Sequence, residues 1–210
     1  MSTLIMEEIM NGTDDPTLTL REARVRYFRD NHFGEDGGYK DAWVDFKLGP
    51  LPMPFPNTEG RLRAVRYHDL HHILTGYATD TLGEFEISAW EIGAGCENFW
   101  AAWVLNLSGM TAGMMVSPGR ISRAFARGLG SRTLYGEELE AQLGRTVGEV
   151  RAERLGEPAR GAGVAARLAG ALGGGFVVMT VLTCIVVPLV PLGLVLGRFA
   201  PRKPSGAGAS

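Results

Sequence analysis

Thirty consecutive residues, Leu168 to Gly197, carry no charged side chain, and this run constrains the fold more than any other feature of the 210-residue sequence. About 20 apolar residues are enough to cross a bilayer as a helix. The core of the run, Phe176 to Leu196, is rich in Val, Leu and Ile and contains Pro188 and Pro191. Proline is tolerated in membrane helices because neighbouring groups satisfy the freed carbonyls, so the pattern predicts a single kinked transmembrane helix over residues 171–197. A re-entrant hairpin is the alternative.

The same run divides the charge. Residues 168–210 hold three cations (Arg198, Arg202 and Lys203) and no acid, whereas the first 167 residues carry a net charge of −5. An acidic body lacks the concentrated basic footprint that phosphate neutralisation requires, which argues against nucleic acid as a partner. Cys96 and Cys184 are too few for a disulfide framework or a four-cysteine zinc site. The N-terminus carries Glu7 and Glu8, with no basic start followed by an apolar stretch, so no export signal is read. Cations flank the span on both sides, and the body is placed on the cytoplasmic side of a single-pass anchor because it lacks that signal.

The rest of the chain reads as an all-α domain. Asp15-Pro16 offers a cap for a first helix ending near Asn31, with Leu20, Ala23 and Tyr27 on its inner side. Gly34, Gly37 and Gly38 then mark a loop. Pro50, Pro52, Pro54 and Pro56 alternate with Leu51, Met53 and Phe55, which predicts an extended polyproline-like strap. Asn57-Thr58 caps a second helix that Gly76 stops after Thr75, and a third opens at Thr79 to Glu84 with Phe85, Ala89 and Ile92 buried. Asn98 to Gly119 is a second uncharged stretch, diluted by Asn106, Ser108 and Gly109; it is expected to be a core helix or the wall of an apolar ligand channel. Arg120, Arg123 and Arg127 share one face of the next helix, as a solvated stripe or a contact for anionic headgroups. A last helix covers Glu137 to Leu155. The expected organisation is an N-terminal arm over 1–16, a helical domain over 17–158, a glycine-rich linker over 159–170, the transmembrane helix, and a disordered basic tail over 198–210.

Three of the four histidines fall in His68-Asp69-Leu70-His71-His72. His68 and His72 are i, i+4 neighbours on one helix face, and Asp69 lies between them and the apolar line of Leu62, Val65 and Ile73. A carboxylate pointing toward a core is expensive unless paired or metal-bound, and imidazoles beside it are suitable co-ligands. His71 faces the other way and is left out. The competing reading is a polar surface face. Glu84 follows a sharp turn that can fold the third helix back onto the second, although Thr81-x-x-Glu84 also matches a capping box. Glu91, two turns later on the same face, is either a support for the site or a solvated charge.

His68-Asp69-x-x-His72, eleven residues, then Glu84 preceded by Gly83, with Thr79-Asp80 between, resembles the signature of the coenzyme Q (ubiquinone) biosynthesis protein 4 family. The resemblance runs from Thr17 to Pro158 and takes in Leu74, Gly76 and Trp90-Glu91. It implies a mostly helical fold and a bound divalent metal, usually zinc, on His68, Asp69, His72 and Glu84. The implied activity is oxidative decarboxylation of a prenylated hydroxybenzoate, replacing the ring carboxyl with hydroxyl, with Glu84 or Asp69 moving a proton. Implied partners are a polyprenylated quinone precursor, membrane lipid and other quinone-pathway enzymes; a homodimer is compatible with this. A non-enzymatic scaffold that binds the lipid precursor is the second reading. The third is a metal phosphohydrolase, which needs another histidine, and only His32 is available. The C-terminal span departs from the family pattern.

Overall fold

The computed structural model describes residues 15–40, 43–44, 47–48, 51–52 and 55–197, and within them the fold is all-α with eight helices. They are α1 (Leu20–Asp30), α2 (Glu59–Thr75), α3 (Thr81–Ala94), α4 (Trp100–Val116), α5 (Pro118–Leu129), α6 (Leu139–Leu143), α7 (Val147–Arg154) and α8 (Ala162–Gly197). Most of the expected N-terminal arm, and all of the expected basic tail, lie outside the described residues.

Helix starts follow side-chain caps. Thr19 and Glu22 form a reciprocal capping box that opens α1. Asp15, the expected cap, instead accepts the Thr17 N–H at 2.9 Å in the preceding turn. Thr58 caps α2, as the sequence predicts, and Gly76 ends it with φ 75°, a left-handed conformation that suits glycine. The predicted helix from Glu137 to Leu155 is two helices, because Thr146 and Glu149 make a second capping box that restarts the chain as α7. Both segments bury apolar side chains: Leu143, Val147 and Val150 are fully enclosed and Leu139 is half-buried.

The proline-rich run is a hairpin and not a lone strap. Trp43–Val44 (β1) pairs antiparallel with Phe55–Pro56 (β4), and Lys47–Leu48 (β2) with Leu51–Pro52 (β3). In a two-stranded ribbon each strand has an edge that needs no N–H donor, so proline is tolerated. Pro50, Met53 and Pro54 lie outside the described residues.

The C-terminal end of α2 is held by cations from two other helices. Arg151 of α7 donates to the carbonyls of Ile73 and Leu74 at 2.7 and 3.0 Å, and Arg127 of α5 to that of Thr75 at 2.9 Å. These are carbonyls a helix end leaves without partners, and positive charge there also complements the helix dipole. Arg120 pairs with Glu86 of α3 in a bidentate contact through its Nε and Nη2. Arg120 and Arg127 of the expected basic stripe therefore have structural partners, while Arg120 and Arg123 are both exposed.

Helix α8 contains a stretch, Gly163–Ile185, that is long and apolar enough to cross a membrane. It begins at Ala162, so most of the expected pliant linker is helical. Its first half docks on the domain: Leu168, Ala171 and Leu172 pack against the core. At Gly175 the approach is so close that a Cβ would stand 2.0 Å from the Thr111 Oγ1 and 2.7 Å from the Leu107 carbonyl of α4. From Thr180 to Ile185 every residue is exposed. Gly175→Val is expected to lower stability by about 1–3 kcal/mol through overpacking. Gly174→Val, where no atom lies within 4 Å of the added Cβ, is expected to be neutral or stabilising by less than about 1 kcal/mol. Thermal unfolding of the two full-length variants in detergent measures the difference.

Candidate metal centre

The turn between α2 and α3 decides where Glu84 goes. Asp80, not Thr81, caps α3 by accepting the Gly83 N–H at 2.7 Å. This one-residue shift removes Glu84 from the capping-box position and frees its carboxylate. At Gly83 a Cβ would stand 2.1 Å from the Ala78 carbonyl oxygen, so only glycine lets the chain fold back this tightly. The Thr79 hydroxyl donates to Asn31 Oδ1 at 2.6 Å and ties the turn to the end of α1.

The result is a convergence of three ligand groups. His68 Nε2 and His72 Nε2 lie 3.2 Å apart, and Glu84 places Oε2 3.2 Å from the first and Oε1 3.3 Å from the second. Two nitrogens bound at about 2.1 Å to one tetrahedral metal are separated by roughly 3.3 Å. The three groups can therefore hold a metal ion.

The far side of each ring supports that reading. The His72 Nδ1–H donates to the Tyr77 carbonyl at 2.9 Å, and the His68 Nδ1–H donates to the Glu91 carboxylate at 2.9 Å. Both rings thus turn Nε2 toward Glu84, and a carboxylate behind a ligating histidine raises its basicity. The His72 ring also stacks on Tyr27, with centroids 5.8 Å apart. The His68 and His72 side chains are 20% and 1% exposed, against 43% for Glu84, so the cluster opens to its surroundings on the Glu84 side.

Glu91 is fully buried and accepts four hydrogen bonds. Oε1 takes the Nδ1–H of His68 and, at 2.7 Å, that of His71; Oε2 takes the Tyr135 hydroxyl at 2.8 Å and the Asn106 amide. His71 Nε2 accepts the Leu134 N–H at 2.8 Å, which leaves its proton on Nδ1. His71, left out of the sequence reading, is thus a buried strut of the site. Burial holds its pKa below the ordinary value, even against the pull of Glu91. Asn106, read in the sequence as an interruption of an apolar run, is a buried donor to the same carboxylate. Tyr135 and Tyr39 carry no local sequence signal that points to this site.

Asp69 does not join the group of ligand atoms. It is buried, as expected, but its carboxylate accepts the Tyr39 hydroxyl. Burial raises its pKa, and the Tyr39 hydrogen bond only partly offsets that. Glu84 behaves in the opposite way. Burial pushes it up, but hydrogen bonds and charge from His68 and His72 override this and bring it down to about 2. Burial likewise works against the charged form of His68, but Glu91 and Glu84 flank the ring and hold its pKa well above the ordinary 6.5. His32, the extra histidine a phosphohydrolase would require, is exposed in the loop after α1 and outside the cluster.

The apolar stretch of α4 is not a channel to this site. Ala101, Ala102, Asn106, Met110 and Gly113 face the core, Leu107 and Thr111 receive α8, and Trp100, Leu105, Met115 and Val116 stand on the surface. Two surface cavities lie away from the cluster. One, of about 490 Å³, is polar and lined by Glu97, Arg132, Glu137 and Arg154 among others; the second, of about 120 Å³, lies beside Gly60 and Trp100.

A metal must displace the proton on His68 Nε2, so affinity is expected to rise with pH and to keep rising above the ordinary histidine midpoint of 6.5. Zinc titrations at several pH values should show proton release on binding. Glu91→Gln removes the charge behind His68. It is expected to weaken zinc about 10–100-fold and to move the pH dependence to lower pH, while Asp69→Asn leaves zinc affinity within a few-fold.

No family model, curated protein or solved structure matches the chain.

Proposed function

We propose that this chain is a membrane-anchored, metal-dependent enzyme of quinone biosynthesis that replaces the ring carboxyl of a polyprenylated hydroxybenzoate with hydroxyl. The observation that carries this reading is the His68, His72 and Glu84 cluster with both imidazoles oriented from behind, at the positions that resemble the coenzyme Q biosynthesis protein 4 signature. A divalent ion held there, zinc by that resemblance, would supply positive charge for a ring carboxylate or phenolate. Glu84, with its low pKa, acts as an anionic ligand group and keeps one edge toward the open side. Asp69 is the better candidate to move a proton, because its raised pKa and its Tyr39 contact let it take up and release one nearer neutral pH. The exchange of carboxyl for hydroxyl is a two-electron oxidation: the carboxylic acid and water give the phenol, carbon dioxide, two protons and two electrons, and dioxygen takes up the protons and electrons as hydrogen peroxide.

The helix that can cross a membrane supports a substrate of this class, since a polyprenyl chain partitions into the bilayer. In this reading the span is single-pass with the domain on the cytoplasmic side, and other quinone-pathway enzymes are its neighbours. The test is metal analysis of the purified protein together with quinone profiling of cells that carry His68→Ala or Glu84→Ala as the only copy. The expected result is loss of bound metal, loss of quinone and accumulation of the carboxylated precursor. Normal quinone in both variants, with loss only when residues 168–210 are removed, would replace the enzymatic reading with that of a lipid-binding scaffold.

A further inference from the structure

The metal centre and the exit of α8 lie at the same end of the domain. Helices α3 and α4 run antiparallel: Gly113 packs against Phe85, Gly109 against Ser88, and Asn106 reaches Glu91. Helix α5 runs parallel to α3, with Arg120 at Glu86 and Gly128 against Trp90. The first turn of α3, the last turn of α4 and the first turn of α5 therefore form one end. Glu84 is the residue before Phe85, which touches Gly113, two residues from Met115.

Helix α8 heads for this end. The Ala159 N–H donates to the Ala126 carbonyl, near the far end of α5, and the chain then reaches Leu107 and Thr111 at Gly175. Continuing in that direction, it becomes wholly exposed from Thr180, five residues on, as the last turn of α4 is passed. The helical residues from there to Gly197 extend about 27 Å at 1.5 Å per residue, close to the roughly 30 Å of a bilayer's hydrocarbon core. Met115 and Val116, at the tip of α4, are 84% and 68% exposed. No charged residue lies between Asn98 and Gly119, and the first cations beyond the tip are Arg120, which pairs with Glu86, and the exposed Arg123. An apolar tip followed by cations, beside a helix that leaves the domain as an apolar rod, is the arrangement that a lipid surface recognises.

We infer that the last turn of α4 is seated in the bilayer surface where α8 enters, with Met115 and Val116 in the acyl boundary, so that the Glu84 side of the metal centre lies at the lipid boundary. A ligand would then reach the metal from the membrane and not from bulk water. The inference rests on α8 entering a bilayer; it does not depend on which reaction the centre performs.

The experiment uses the full-length chain, with Cys184→Ser, reconstituted in vesicles of phosphatidylcholine and phosphatidylglycerol. One cysteine at a time, introduced at Met115, Val116, Ile185 or Val25, carries an environment-sensitive nitrobenzoxadiazole label, the native Cys96 being fully buried and out of its reach, and a helical circular-dichroism spectrum equal to that of the parent reports that each variant is folded. Quenching by doxyl-labelled lipid is expected at positions 115, 116 and 185, and quenching by aqueous iodide at 25, which is exposed on α1. Iodide quenching at 115 and 116 equal to that at 25, with 185 still lipid-quenched, overturns the inference and leaves the membrane helix intact. Protection of 115 and 116 from both quenchers points to a second copy of the chain on this tip, and also overturns it. Loss of lipid quenching at 185 removes the membrane helix and the inference together.

Discussion

The carboxylate of Glu91, enclosed among α2, α3, α4 and the segment after α5, is the constraint on which the domain turns. A buried carboxylate without partners costs several kcal/mol, whereas each hydrogen bond to a charged group returns about 1.5–3 kcal/mol. Four donors meet that requirement, and they come from His68, His71, Asn106 and Tyr135. The donors come from α2 (His68 and His71), α4 (Asn106) and the segment after α5 (Tyr135), so satisfying Glu91 fixes how α2, α3 and α4 are stacked. The same bond that settles the cost of burial also sets the tautomer of His68 and aims its Nε2 at Glu84. Stability and site geometry thus depend on one group, and a variant that disturbs Glu91 changes both.

Charge balance within this cluster explains why it can hold a cation. Glu84 and Glu91 together bring two negative charges against the neutral ring of His71. Without a metal, a proton on His68, whose pKa is lifted well above the ordinary value, offsets only one of the two. A divalent ion in its place would compensate the same charges. The cations nearby do not compete for this role, because Arg127 and Arg151 are bound to the carbonyls at the end of α2.

Much of this was legible in the sequence because the signals were local. Thr58, Gly76 and the i, i+4 spacing of His68 and His72 placed α2 and its ligand face, and an uncharged run of thirty residues marked the membrane-competent helix. The misreadings came where side chains on every face are buried. From Asp69 to Thr75 each residue of α2 is enclosed, so no polar face remains to orient the helix. Leu62 and Val65, taken as the inner line, are only half-buried; Ala64, Tyr67, His71 and Leu74 are the inner line. That rotation puts His71 inside, contrary to expectation, whereas Asp69, a ligand by the family resemblance, is buried as expected and bonds Tyr39. The role of Glu84 depended on whether Thr81 or Asp80 capped α3, and both residues are good caps. Asn106 and Tyr135 are remote in sequence from the centre, and nothing local in them points to Glu91.

The glycines near the start of α8 suggest a flexible hinge in sequence, yet the chain there is helical. In water each glycine in a helix costs about 1 kcal/mol relative to alanine, which favours a loop. Against an apolar helix that reasoning reverses, because an unravelled backbone would bury N–H and C=O groups without partners, at a larger cost per group. Small residues also permit the closest approach between helices, and Gly175 uses it at Thr111. The segment that looks like a tether therefore serves as a joint, and a continuous helix connects the domain with the candidate metal centre to the membrane-competent rod. A flexible linker would let the centre drift from the surface by the linker's reach. A rigid one fixes which side of the domain meets the lipid, so the register of α8 on α4 becomes part of the site's accessibility.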